Sequence, residues 1–195
     1  MELSVRLRTL AFAFAFALAA ITAAPAGASA ATLDGVSPVP SGVSKARSWI
    51  VSSGNHPVVR GSRGVVIRGR AYAPSRAPYQ VKLVIWSANQ IRHKPYKWGG
   101  GHGSWKDTGY DCSGSVSYAL HGGGLLASPL DSRGFMKWGK AGAGRWITVF
   151  ATNGHAYMVV AGVRFDTAGA GESGPRWRLE PPWEHGFWVR HPPGL

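Results

Sequence analysis

The sequence predicts an α+β domain, with helices first and an antiparallel sheet after them. Two observations carry this. Apolar residues recur at helical spacing between Pro78 and Leu120, and between Arg145 and Asp166 the chain becomes short β-rich runs joined by tight turns. A third observation bears on chemistry: the 195 residues include one cysteine, Cys112, set in Tyr110-Asp111-Cys112-Ser113-Gly114 directly after a glycine-rich stretch.

Residues 1–30 read as a secretory signal peptide. Arg6 and Arg8 give the positive start, Leu10 to Ile21 the apolar stretch, and Ala28-Ser29-Ala30 a small-residue cleavage site. The apolar run is short for a bilayer span, which takes about 20 residues, and Pro25 and Gly27 follow it, so cleavage is expected rather than a retained anchor. Removing thirty of the 195 residues leaves 165, enough for one domain with a real core. Loss of Arg6, Arg8 and Glu2 lowers the formal charge from +13 to +12. A secreted protein this basic concentrates on polyanions, for which anionic wall polymers are more plausible partners than nucleic acid. The basic residues are scattered rather than gathered in a stripe, so a soluble cationic surface is the plain alternative.

Residues 31–77 are rich in Gly, Pro, Ser and Arg. They carry one short apolar run at Gly64-Val65-Val66-Ile67 and room for a small helix near Lys45–Val51. This segment is expected to be an arm or linker to a domain spanning 78–195.

From Pro78 the pattern sharpens. Val81, Val84, Ile85, Ala88 and Ile91 mark an amphipathic helix over Pro78–Arg92, opened by proline in its first turn. A loop follows through Pro95–Gly103. A second helix is expected from Cys112 to Leu120, with Asp111 as N-cap and His121-Gly122-Gly123-Gly124 ending it. A shorter one is expected over Asp131–Trp138. Strands are expected at Arg145–Phe150, His155–Ala161 and Val163–Asp166, with Asn153-Gly154 turning between the first two, and another at Gly186–Arg190.

A single thiol in an exported protein has no intramolecular disulfide partner, so it is free, bonded elsewhere or kept for chemistry. At the start of a helix, the backbone N–H groups and the helix dipole favour the thiolate, the form that acts as nucleophile. Free cysteine is also a common buried apolar residue, but Asp111 and Ser113 flank this one with polar groups. A nucleophilic cysteine needs a base, and seven histidines compete for the role. His102 lies near Cys112 in sequence but on a glycine loop. His155 opens a strand after a tight turn, which holds an imidazole on a rigid element. Asp166 follows eleven residues later on the neighbouring strand, where the two side chains can share one face and the carboxylate can fix the ring. Cys112 has no second thiol and no histidine at ligand spacing, so no metal is expected, nor any nucleotide cofactor.

Taken in order, Pro95-Tyr96-Lys97-Trp98-Gly99-Gly100, Asp111-Cys112-Ser113-Gly114 and Gly154-His155-Ala156-Tyr157-Met158-Val159 resemble the NlpC-type family of bacterial cell-wall peptidases, which are papain-like cysteine peptidases. The resemblance spans Pro78 to about Asp166. It implies a nucleophile at Cys112, a base at His155 and an orienting residue on the next strand. That position is commonly histidine in the family and is matched by Asp166 here. It further implies that Tyr96, Asp111 and Ser113 line the substrate cleft and that the Cys112 backbone N–H stabilises the oxyanion. The substrate would be a peptidoglycan stem peptide, cut typically between D-glutamate and a diamino acid, by a monomer needing no cofactor. Members often carry a Gly-Asp pair ahead of the histidine strand, where this chain reads Gly142-Ala143-Gly144-Arg145-Trp146. A non-catalytic wall-binding protein, or an amidase or acyltransferase on the same scaffold, are the other readings. Beyond Ala168 the resemblance explains nothing, and Trp177, Trp183 and Trp188 are expected mainly to pack against the sheet.

Overall fold

The computed structural model describes residues 50–169, 173–179 and 185–195. The expected signal peptide, most of the small helix near Lys45 and Trp183 lie outside the described residues. The described residues all belong to one compact unit, Val39–Leu195.

The fold is α+β, with three helices and two sheets among the described residues. Helix α1 spans Tyr79–Ile91, α2 Cys112–Gly122 and α3 Ser132–Phe135. Pro78 precedes α1 with φ −52°, and an imide nitrogen there loses no helical hydrogen bond. The face of α1 bearing Val81, Val84, Ile85 and Ala88 is buried, as its spacing requires. It packs on α2 through Val116, Ala119 and Leu120, which are fully buried. Helix α2 ends as its glycines dictate: Gly123 N–H donates to the Ala119 and Leu120 carbonyls, and Leu125 N–H to Leu120 O. The shortest helix is trimmed relative to the expected Asp131–Trp138, with Asp131 capping it through Gly134 N–H at 2.7 Å.

The larger sheet contains β5 (Lys140–Ala141), β6 (Ile147–Ala151), β7 (Ala156–Val160), β8 (Val163–Asp166), β9 (Arg176–Arg178) and β10 (Trp188–His191). Its order is β5-β10-β6-β7-β8-β9, antiparallel throughout. The three central strands form the expected meander, but the last strand returns to pair with β6 and so closes one side of the sheet. β9 brings Trp177 against Phe165, with ring centres 4.8 Å apart, and its indole N–H donates to Asn89 Oδ1 on α1. Trp177 thus packs as expected, whereas Trp188 is exposed.

The segment expected as an arm departs most from its reading. Residues 50–74 form β1 (Ile50–Ser52), β2 (Val58–Val59), β3 (Val65–Ile67) and β4 (Arg70–Pro74), a second sheet in the order β1-β2-β4-β3. Ala71 and Ala73 are fully buried against α1, and Asn89 of α1 clasps the Ala71 backbone on both sides, accepting from its N–H at 3.0 Å and donating to its carbonyl at 2.8 Å. Alanine and short valine pairs bury little area each, so the composition hid a packed layer.

Candidate active site

The site is built where the start of α2 meets the open end of β7. Asp111 caps α2 with a bond from Gly114 N–H to Oδ1 at 2.6 Å, while Oδ2 accepts from Gly99 N–H at 3.0 Å. One carboxylate therefore ties the glycine loop to the first turn of the helix. Gly114 makes the contact possible: a Cβ there would collide with the Gly100 carbonyl, which itself accepts from Asp111 N–H at 3.2 Å. Cys112 follows at the first helical position, where a thiolate faces the positive end of the helix dipole. It is a free thiol and nearly buried.

His155 is delivered by the turn between β6 and β7. Thr152 organises that turn: its backbone N–H donates to His155 O at 2.8 Å, and its hydroxyl accepts from His155 N–H at 3.2 Å. The register of β7 with β8 pairs Met158 with Phe165. One pair further on, Asp166 stands opposite Tyr157, on the face that His155 shares two residues earlier. From there His155 Nε2 reaches Asp166 Oδ1 at 2.9 Å. Cys112 is the other group close enough to act on the charge of the imidazole, so the ring lies near both thiol and carboxylate.

Asp166 has no solvent exposure, and its charge is held by four hydrogen bonds from three residues. Oδ1 accepts from His155 and from Ala168 N–H at 2.9 Å, and Oδ2 accepts from Arg164 Nε at 3.0 Å and from its Nη2. Burial alone would raise this carboxyl, but the bonds from His155, Ala168 and Arg164 prevail and hold it below the ordinary carboxylate value. An ionised carboxylate can only accept, so Nε2 carries the proton of this bond, which leaves Nδ1 as the ring nitrogen not engaged by Asp166. For His155, burial pulls downward while Asp166 and Cys112 pull upward more strongly, bringing it to about 9. Arg164 is buried as well and lies over the Tyr157 ring at 4.9 Å.

A cleft of about 440 Å³ opens over Cys112 and continues to Gly154, the residue before His155. Tyr96, Trp98, His102, Asp111 and Ser113 line one wall, and Asp131, Ser132, Arg133 and Asn153 line the other. Tyr96 and Trp98 are exposed at the rim. Burial, then the neighbouring charges of Cys112 and Asp111, push the Tyr96 phenol upward, so it stays protonated and can donate. His102, the nearest rival to His155 in sequence, is turned toward Asp111 Oδ1 at 3.0 Å and Ser113 Oγ at 3.2 Å. His121 stacks on Trp105, with ring centres 3.9 Å apart. Among the described residues no group of three or more His, Cys, Asp or Glu is arranged to hold a metal ion.

The six residues singled out from the sequence thus meet in one region: His155 and Asp166 are bonded to each other near Cys112, and Cys112, Tyr96, Asp111 and Ser113 line the cleft. Arg164 and Thr152 were missed. The alternation Arg164-Phe165-Asp166 placed an arginine on the same strand face as Asp166, and this was the signal available for it.

Fold and site together describe an α+β domain with a free thiol at a helix start and an imidazole–carboxylate pair on the adjoining sheet. No family model matches the chain, and no curated protein matches it. Among solved structures it is similar to the peptidoglycan hydrolase RipB of Mycobacterium tuberculosis, at 24% identity and TM-score 0.46, covering 60% of this chain and 69% of that one. It is also similar to the P60 domain of an antigen from M. avium subspecies paratuberculosis, at 24% identity and TM-score 0.45, covering 57% and 93%. A third is RipD of M. tuberculosis, described as a non-catalytic NlpC/p60 domain protein adapted to peptidoglycan binding, at 20% identity and TM-score 0.43, covering 59% and 98%.

Proposed function

We propose that the protein is a secreted NlpC-type cysteine peptidase that hydrolyses an amide bond in peptidoglycan stem peptides, outside the cell or in the wall. The observation that carries this reading is the bonded chain from Arg164 through Asp166 to His155, with the Cys112 thiol close enough to act on the charge of the imidazole. A scaffold that only bound the wall would have no need of an imidazole anchored by a buried carboxylate and presented to a thiol.

In this reading His155 takes the thiol proton, giving a thiolate and imidazolium that Asp166 stabilises without itself accepting the proton. The thiolate attacks the scissile carbonyl carbon. Negative charge gathers on the carbonyl oxygen, toward the Cys112 backbone N–H at the open end of α2. The imidazolium then protonates the departing amine, the C–N bond breaks, and an acyl-thioester remains on Cys112. Water, deprotonated by His155, attacks the thioester, releasing the acid and restoring the thiolate. In the same reading Tyr96 and Ser113, which line the cleft, bind the peptide. Asp111 lines the same wall, although its oxygens are engaged by the helix cap and the glycine loop.

A synthetic stem tetrapeptide containing the D-glutamate–diamino acid bond tests the assignment. The expected products are the two dipeptides, resolved by liquid chromatography and mass spectrometry. Release of the stem from its sugar in a muropeptide substrate, with the tetrapeptide intact, would replace this reading by that of an amidase.

A further inference from the structure

A second cavity, of about 460 Å³, lies at the C-terminal end of α1 and shares no lining residue with the cleft over Cys112. Its walls include Arg70 from β4, Arg92 from the end of α1, the side chains of Asn55 and Gln90, and the rings of His56 and Trp86. We propose that this cavity binds a phosphoryl group through the guanidinium groups of Arg70 and Arg92.

The argument begins with charge. Among the described residues no ion pair involves Arg70 or Arg92. The acidic side chains seen elsewhere are committed: Asp107 to Lys97, Asp111 to the cap of α2, Asp131 to the cap of α3, and Asp166 to His155 and Arg164. Two like charges therefore face one cavity without a carboxylate between them. Burial, and after it the positive charge of Arg70, push Arg92 below its ordinary value, which marks the two groups as close enough to repel.

Hydrogen bonding points the same way. Arg70 donates to the carbonyls of Ser53 at 3.5 Å and Gly54 at 2.9 Å, and Arg92 Nη1 donates to Asn89 O at 2.6 Å. These bonds fix both side chains on backbone and use only part of each fork. The Nε atoms of both are buried without a hydrogen-bond partner. The Nη hydrogens that these bonds leave unused are the donors an oxyanion in the cavity takes. Arg92 caps the last turn of α1 through the Asn89 carbonyl, but that bond uses one nitrogen of its fork, and Arg70, on β4, takes no part in the helix end.

The charge count selects the ligand. Two guanidinium groups match a phosphate monoester, which carries about −1.5 to −2 at neutral pH and accepts paired Arg donors. A monocarboxylate would leave one of them uncompensated. The neutral amides of Asn55 and Gln90 supply donors for the remaining oxygens; the carbonyl oxygen of Gln90 already accepts from Tyr118 OH at 2.8 Å, which leaves its NH₂ as the group to serve a ligand.

The test is calorimetric titration of the full chain, at constant ionic strength, with inorganic phosphate, glycerol 1-phosphate, poly(glycerol phosphate) and acetate. Saturable binding of the phosphates, with acetate at least ~10-fold weaker, is expected, and Arg92→Gln should weaken phosphate binding by ~10-fold or more. Inorganic phosphate and the monoester binding without the polymer identifies a free or terminal phosphoryl group as the ligand; the polymer binding as well identifies a phosphodiester chain. Should Arg92→Gln not fold, arginine modification by phenylglyoxal on the unaltered protein reads the same site, since phosphate should protect Arg70 and Arg92 selectively. Absence of saturable phosphate binding, equal binding of acetate, or protection spread evenly over all arginines would overturn the proposal. None of these readouts depends on peptidase activity, so the two assignments stand or fall separately.

Discussion

Asp166 accepts from His155 Nε2 through one carboxylate oxygen and from the Arg164 guanidinium through the other, with no part of the carboxylate exposed. A buried cation thus holds the buried anion that orients the His155 imidazole. The pair is two residues apart on β8, so one strand supplies both members, and the Tyr157 ring on the neighbouring strand keeps the arginine flat.

Removing one member of such a pair leaves the other charge buried and uncompensated. Arg164→Met should destabilise the fold by about 3–5 kcal/mol and also disorder Asp166. Urea unfolding measures the first effect. A loss of activity exceeding the unfolded fraction, under conditions where the variant remains folded, measures the second.

The His155 imidazole should titrate near 9 in the folded protein, against an ordinary value of 6.5. Its interactions therefore contribute stability that is fully present below 6.5 and is lost as pH rises through about 9. Asp166 acts with the opposite sign: its carboxyl lies below the ordinary 3.8, so its contribution is present above that value and is lost as pH falls through the lowered one. Asp166→Asn should move the imidazole downward, because burial then acts with only Cys112 opposing it. NMR titration of the ring carbons in both proteins reads the shift; an unmoved midpoint would contradict the bond.

The start of α2 rests on one side chain. Asp111→Ala should cost about 0.5–2 kcal/mol from the cap alone. Freeing Gly99 adds to this and should loosen the loop that carries Tyr96 and Trp98. Asp111→Asn, which keeps an acceptor, should retain most of the stability. Denaturant midpoints compare the three proteins, and hydrogen exchange at Gly99 and Gly114 locates the change.

Gly114→Ala should be disproportionately harmful for a one-carbon change, because its Cβ meets backbone rather than a movable side chain. A cost of about 1–3 kcal/mol is expected. An unaltered melting temperature would show that the glycine loop does not approach the helix as described.

What could be read from the sequence divides along physical lines. Helix α1, the Asp111 cap and β6 to β8 announced themselves through strong local signals: 3.6-residue spacing, a capping side chain ahead of a helix, β-branched runs around Asn153-Gly154. The catalytic candidates were legible because chemistry restricts which residue types can serve and the motifs fix their order. The sheet of residues 50–74 was not, since strands of two or three residues carry almost no periodicity and are stabilised by packing on α1 that no local window contains. Arg164 escaped because its partner is a residue already assigned elsewhere. The return of β10 to β6 depends on pairing across a long stretch of chain, which local pattern does not encode.

The central claim is that Cys112, driven by His155, cleaves wall peptides, and the most direct test is digestion of purified peptidoglycan by the mature protein, by Cys112→Ala and by His155→Ala, with released fragments identified by mass spectrometry. The unaltered protein should release peptides cut within the stem, Cys112→Ala should release none, and His155→Ala should be slower by a factor on the order of 10²–10⁴. Equal release by the unaltered protein and Cys112→Ala, or no release by any folded form, would contradict the account.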